Sequence, residues 1–298
     1  MSEFLSELST AMAGVVEAAG RSVVRVEGRR RLAASGIVWS DDGVIVTAHH
    51  VVQRDGDVGV GLPGGESLAA RLVGRDPATD LAVLRVEARG LRAAAPAADE
   101  DLRVGHLALA LGRPGRTVQA TLGIVSALGE GWRTPAGGQV DRYLQTDVVM
   151  YPGFSGGPLV DIEGRAIGLN TSALLRGVSL ALPTRTLGRV VETLLTHGRM
   201  RRGYLGVTAQ PVRLPQAAAG QLGQETGLLL AAVNAGSPAE AAGLALGDTL
   251  VALDGQPLCH MDDLVALLGA ERIDQSVSVR YLRGGQLQDA TVVVGARP

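Results

Sequence analysis

Apolar and polar positions change rhythm several times along this chain. In residues 3–19 the apolar side chains Phe4, Leu5, Leu8, Met12, Val15, Val16 and Ala19 follow helical spacing. They predict an amphipathic helix ended by Gly20. Such an arm either packs on its own domain or meets another copy. From Ser22 to about Glu87 the pattern shortens to β-type runs: 23–26, 33–39, 44–48, 58–62, 68–74 and 81–86, parted by Gly, Asp and Pro. Residues 88–101 read as a linker. A second set follows at 106–111, 118–128, 142–147, 158–161, 166–171 and 178–182. Each set of about six strands predicts a small antiparallel barrel.

At 184–200 the helical rhythm returns, with Leu187, Val190, Val191, Leu194 and Leu195 on one face and Thr184 or Pro183 at its start. This helix is expected to dock on the second barrel and lead out of it. Residues 203–298 form a smaller unit. Strands are expected near 206–210, 228–233, 249–253, 276–281 and 290–294, with a tight turn at Asp254-Gly255. A short helix is capped by Ser237-Pro238-Ala239-Glu240, and another lies at 261–268. The chain therefore reads as mostly β: an N-terminal arm at 1–21, a two-barrel domain at 22–200 with barrels near 22–90 and 102–185, and a third unit at 203–298.

Composition narrows the partners. The 298 residues suit roughly two domains. Hydrophobic content is 46% but aromatics only 3%, so the cores are built from Val, Leu, Ile and Ala. The net charge is −2, and the basic residues, all arginine, cluster only briefly at 29–31 and 199–202. Nucleic acid and anionic membrane are not implied. The one cysteine, Cys259, rules out an intrachain disulfide framework. No apolar run approaches the ~18 residues of a membrane span. The start, Met-Ser-Glu-Phe-Leu-Ser-Glu-Leu, does not read as a secretory signal. The sequence as written is expected in the cytoplasm; the alternative is export, with the signal segment absent.

The chemistry gathers in three stretches. In 143–160, Ser155 stands between Gly153 and the pair Gly156-Gly157, followed by Pro158. A serine on such a bend is exposed, and its N–H can join that of Gly153 as a pair of oxyanion donors. In 43–52 an apolar strand ends at His49-His50. In 76–84 Asp80 opens an apolar strand, so its carboxylate is drawn inward and needs a donor. His50, Asp80 and Ser155 stand in the chain order of two-barrel serine proteases. His49 competes as the base; Asp76, before Pro77, reads as a turn residue, and Asp147 as structural. His106, His197 and His260 show no metal-ligand spacing, and no phosphate loop is present. No metal or cofactor is expected.

The segments Ser-Gly-Ile-Val, Val-Thr-Ala-His-His-Val-Val, Asp-Pro-Ala-Thr-Asp-Leu-Ala-Val-Leu, Gln-Thr-Asp-Val-Val-Met-Tyr-Pro-Gly-Phe-Ser-Gly-Gly-Pro-Leu-Val and Arg-Gly-Tyr-Leu-Gly-Val resemble those of HtrA (DegP/DegS-like) serine proteases. The resemblance implies a chymotrypsin-like protease domain followed by one PDZ domain. It implies His50 as base, Asp80 as acid, Ser155 as nucleophile, and Gly153 and Ser155 as oxyanion donors. It places Met150, with Asn170, Thr171 and Ser172, at the primary specificity pocket, and Tyr204-Leu205-Gly206-Val207 at a peptide C-terminus. It further implies a homotrimer acting without ATP on unfolded or damaged chains. One departure stands out: the family usually carries Asn where this chain has Phe154. A ring there either biases the loop or covers an apolar pocket, which leaves a catalytically weak PDZ scaffold or holdase as the alternative.

Overall fold

The computed structural model describes residues 2–29, 32–53, 56, 58–97, 101–175, 177–201 and 203–296. Arg30, Arg31 and Arg202 of the two basic clusters, and 98–100 of the expected linker, lie outside these. The chain divides into Met1–Met200 and Arg201–Pro298.

Helix α1 (Ser2–Gly20) opens the first unit. Its C-terminal half lays Met12, Val15, Val16 and Ala19 against Val23, Leu109, Leu111 and Val160. Phe4, Leu5 and Leu8 of the first turns stay exposed. Six strands then close a barrel: β1 (Val23–Glu27), β2 (Ala34–Val38), β3 (Val44–Ala48), β4 (Val58–Gly61), β5 (Ser67–Asp76) and β6 (Leu81–Val86), in the order β1-β2-β3-β6-β5-β4. A second closed barrel follows. It comprises β7 (Leu107–Gly112), β8 (Gln119–Gly129), β11 (Tyr143–Thr146), β12 (Pro158–Val160), β13 (Ala166–Thr171) and β14 (Ser179–Pro183). A small hairpin of β9 (Trp132–Arg133) and β10 (Gln139–Val140) projects between β8 and β11. The pairings between the named strands are antiparallel, so the mostly-β, two-barrel expectation holds.

Closure explains the runs. Strands β3 and β13 are buried along their whole length because both faces are covered, so their residues do not alternate between apolar and polar, and the buried Thr47, Asn170 and Thr171 are each hydrogen-bonded. Helix α2 (Thr184–His197) begins after Pro183 and ends at Gly198, whose φ of 70° is the left-handed C-cap conformation. It does not dock on the second barrel alone. Leu187, Val190, Val191 and Leu194 join the core of the first barrel, beside Leu72, Val73 and Leu84, and the helix also meets β13 and β14.

The second unit is a sheet of β16 (Val207–Arg213), β17 (Thr226–Val233), β18 (Thr249–Leu253), β20 (Ser276–Arg283) and β21 (Gln286–Val293). Short strands β19 (Gln256–Pro257), β15 (Gly203–Tyr204) and β22 (Gly295–Ala296) flank it. Helix α4 (Pro238–Ala241) is capped by Ser237 Oγ, which accepts the Glu240 N–H at 3.2 Å. Helix α5 (Met261–Leu267) buries Leu264 in the same core. Helix α3 (Gln216–Leu222), which the periodicity does not reveal, lies between Pro215 and a left-handed Gly223.

Candidate active site

The turn Asp76–Asp80 presents the carboxylate. Asp76 Oδ1 accepts the Ala78 N–H at 3.1 Å and Oδ2 accepts the Thr79 hydroxyl at 2.7 Å, so Asp76 shapes the bend. Asp80 then takes φ of 58°, a conformation rare for a residue with a Cβ. Backbone outliers of this kind concentrate at functional sites.

The Asp80 carboxylate is buried and collects three donors. They are the His50 main-chain N–H at 2.9 Å, the His50 Nδ1 at 2.8 Å to Oδ2, and the Thr171 hydroxyl. With Nδ1 as donor to the carboxylate, Nε2 is the lone-pair end of the imidazole. The histidines do not finish strand β3; they form a 3₁₀ turn, His49–Val51, just beyond it. His49 gives only its main-chain N–H to the Asp80 carbonyl, at 2.9 Å. Its ring Nδ1 is buried without a partner among the described residues, and burial, helped by the Arg75 cation, holds the imidazole below its ordinary value. Of the two, only His50 is joined to the carboxylate.

Ser155 comes from the other barrel, on the loop between β11 and β12. Gly153 and Gly156 take φ of 98° and 87°, and a Cβ on Gly156 would stand 2.1 Å from the Ser35 carbonyl. Only glycine permits this bend so close to β2. The loop's polar groups are taken up in order. The Phe154 N–H donates to the Tyr151 carbonyl at 3.0 Å, the Gly156 N–H to Asn170 at 2.9 Å, and the Gly157 N–H to Phe154 at 2.9 Å. The Ser155 carbonyl accepts the Ser35 N–H at 3.1 Å, and the Gly153 carbonyl accepts the Ser35 hydroxyl at 2.7 Å. Between 153 and 157, the N–H groups of Gly153 and Ser155 alone have no acceptor among the described residues. Two free, fixed donors beside a serine can hold an oxyanion.

Ser155 and His50 line one cleft of about 590 Å³, with Arg29, Leu32, Gln53, Met150, Tyr151, Pro152, Gly153 and Ser172. The Ser155 hydroxyl is 3.2 Å from that of Ser172 and, among the described residues, makes no hydrogen bond to His50. Of the four residues assigned to the specificity pocket, Met150 and Ser172 reach the cleft. Asn170 and Thr171 do not: both are buried in β13, where Asn170 Nδ2 bonds the Pro158 carbonyl at 2.9 Å and Thr171 bonds Asp80. Asp147 Oδ1 accepts the Ile124 N–H at 2.6 Å, which is a structural use. Phe154 points away from the cleft and is fully buried in the second barrel. Ser35 enters the sequence reading only within the segment Ser-Gly-Ile-Val, and Thr171 only as a pocket residue; their bonds to Gly153 and Asp80 have no signal in local sequence.

In the second unit, Gly206 takes φ of 82° and packs on Ser237, whose Cβ would be 2.2 Å from any Cβ at 206. The Leu205 and Gly206 carbonyls accept the N–H groups of Ala239 and Asn234, each at 2.8 Å. The Leu205 and Gly206 N–H groups have no acceptor among the described residues. Tyr204 pairs with Gly295, its hydroxyl 2.8 Å from Asn234 Nδ2, and Val207 opens β16. Among the described residues there is no cluster of three metal-ligating side chains, and no helix is long and apolar enough to cross a membrane.

Two barrels that place a carboxylate–imidazole pair and a serine on a glycine bend in one cleft define a trypsin-like serine peptidase fold. Residues 34–169 match the trypsin-like peptidase domain family and 203–294 the PDZ domain family. The chain is 35% identical over 285 residues to a probable periplasmic serine endoprotease DegP-like of Marinomonas sp., covering 94% of this chain and 60% of that protein. It is 37% identical over 275 residues to the same-named protein of Halomonas elongata, covering 90% and 57%. The chain thus spans about six-tenths of the length of these curated relatives. Among solved structures, the HtrA-type protease AlgW with decapeptide superposes with a TM-score of 0.75 at 30% identity, covering 96% of this chain and 99% of that one. The serine endoprotease from Yersinia pestis gives 0.75 at 29%, covering 95% and 97%. The chain belongs to the HtrA-type serine protease family.

The expected cytoplasmic location is overturned. The relatives are named periplasmic endoproteases. That expectation rested on the composition of the first residues, which does not report the compartment.

Proposed function

We propose that this protein is an exported, ATP-independent serine endopeptidase acting on unfolded or damaged chains. The Asp80–His50 pair facing the same cleft as Ser155 carries the reading. Asp80 holds the tautomer and stabilises the imidazolium; His50 Nε2 takes the Ser155 proton as the hydroxyl turns from Ser172 and attacks the scissile carbonyl. The oxyanion forms against the free N–H groups of Gly153 and Ser155. His50 then gives its proton to the leaving amine, and water repeats the cycle on the acyl-enzyme.

The cleft wall favours small or medium aliphatic side chains before the cut. Met150, Tyr151, Pro152 and Leu32 line it, and no carboxylate does among the described residues. A peptide library that preferred Arg or Lys there would contradict this. At the second unit, the free Leu205 and Gly206 N–H groups suit a peptide carboxylate, with the peptide adding a strand beside β16. The homotrimer that the resemblance implies would cover the exposed Phe4, Leu5 and Leu8 of α1, and sedimentation of the full chain tests it. The decisive assay incubates unfolded casein with the protein and its Ser155→Ala variant, alongside a serine-directed fluorophosphonate. Cleavage and labelling by the parent alone support the reading; intact casein and an unlabelled Ser155 refute it.

A further inference from the structure

Phe154 is one residue from the candidate nucleophile, yet it is the largest fully buried side chain among the described residues. Its ring sits in the core of the second barrel with Leu102, Ala108, Ala110, Leu144 and Leu159. Tyr151, at the start of the same loop, meets it edge-on with centroids 5.8 Å apart. Gly112, at the end of β7, makes the room: a Cβ there would stand 2.6 Å from the ring Cδ1 and 3.0 Å from Cγ. Gly112 is not among the glycines with positive φ, so its backbone does not demand glycine; the ring does.

The peptide joining Gly153 to Phe154 is held at both ends, its carbonyl by the Ser35 hydroxyl and its N–H by the Tyr151 carbonyl. The ring adds a third, apolar fixture at the same peptide. The buried ring fixes the Phe154 Cα, from which the peptide carrying the Ser155 N–H departs, so a displaced ring shifts that donor relative to the Gly153 N–H. We propose that Phe154 is a positioning residue that, seated in the space left by Gly112, keeps the oxyanion donors aligned before substrate arrives. This rests on the peptidase reading.

The test uses the full chain and three variants: Phe154→Leu, Gly112→Ala and the double variant. Acylation by a chromogenic aliphatic peptide ester, inhibition by a peptide aldehyde that forms a hemiacetal oxyanion on serine, and the melting midpoint are measured for each. Removing one oxyanion donor costs about 10²–10³ in kcat, and partial misalignment costs less. Gly112→Ala is expected to lower kcat by about 10²-fold and Phe154→Leu by roughly 10-fold, with KM little changed. Aldehyde affinity should fall in step. In the double variant the smaller side chain admits the new methyl, so kcat should return to the Phe154→Leu level instead of multiplying the two losses.

Three results overturn the proposal: single variants that keep full kcat and aldehyde affinity, losses that track only the melting midpoint, or a double variant that multiplies the losses. If the parent protein itself takes no fluorophosphonate and cleaves nothing, the peptidase reading fails first. An active parent with insensitive variants defeats only the role of Phe154.

Discussion

Ser35 offers the sharpest test of how the first barrel disciplines the second. Its hydroxyl donates to the Gly153 carbonyl at 2.7 Å and accepts the Arg113 N–H at 2.7 Å, both in the interior. Ser35→Ala keeps the Cβ, the main-chain N–H to Ser155 and the carbonyl that accepts the Thr47 hydroxyl. It strands one acceptor and one donor. A buried group left without a partner costs about 1–3 kcal/mol, so two give roughly 2–6 kcal/mol. Taking about 3 kcal/mol, Tm of a domain of this size should fall by roughly 6–12 °C. The Gly153–Phe154 peptide also loses its carbonyl tether, so kcat should drop by about 10–10²-fold, short of losing a donor outright. Calorimetry gives the first number, and burst-phase hydrolysis of a chromogenic ester gives the second together with KM. A lowered Tm with unchanged kcat would refute the link between this hydroxyl and the oxyanion donors. An unchanged Tm would show that water repairs both groups.

Asp80→Asn should lower kcat by about 10⁴-fold with little change in KM, because the amide no longer fixes the imidazole tautomer; a loss under tenfold would remove Asp80 from the triad. Gly206→Ala forces a Cβ onto Ser237 and into a left-handed φ, so calorimetric titration should show loss of binding to peptides with apolar C-termini; retained affinity would contradict the assigned loop. His49 is held below the ordinary imidazole value of about 6.5, so in the window under that value the unfolded chain binds more protons. Stability should therefore fall as pH is lowered from neutrality through that window, and His49→Gln should flatten the slope of Tm against pH; an unchanged slope would exclude His49 as its source.

What could be read from residues alone was whatever depends on local order. Barrel strands covered on both faces are predominantly apolar without alternation, so runs such as 44–48 and 81–86 announce themselves. A serine among glycines and an inward aspartate likewise state their chemistry by type and neighbours. Helix α3 was hidden because Ala and Gly give little periodic contrast; its signals were only Pro215 before it and Gly223 after it. The hairpin of β9 and β10 has two-residue strands, too short to show a period. Position in space was a different matter. Ser35 reaches Gly153 across 118 residues and Thr171 reaches Asp80 across 91, and neither distance leaves a mark on local composition. The same holds for Phe154, whose identity left open whether its ring biases the loop or covers an apolar pocket. Which way its ring turns was decided by Gly112, a residue 42 positions earlier that stands beside it only once the second barrel has closed.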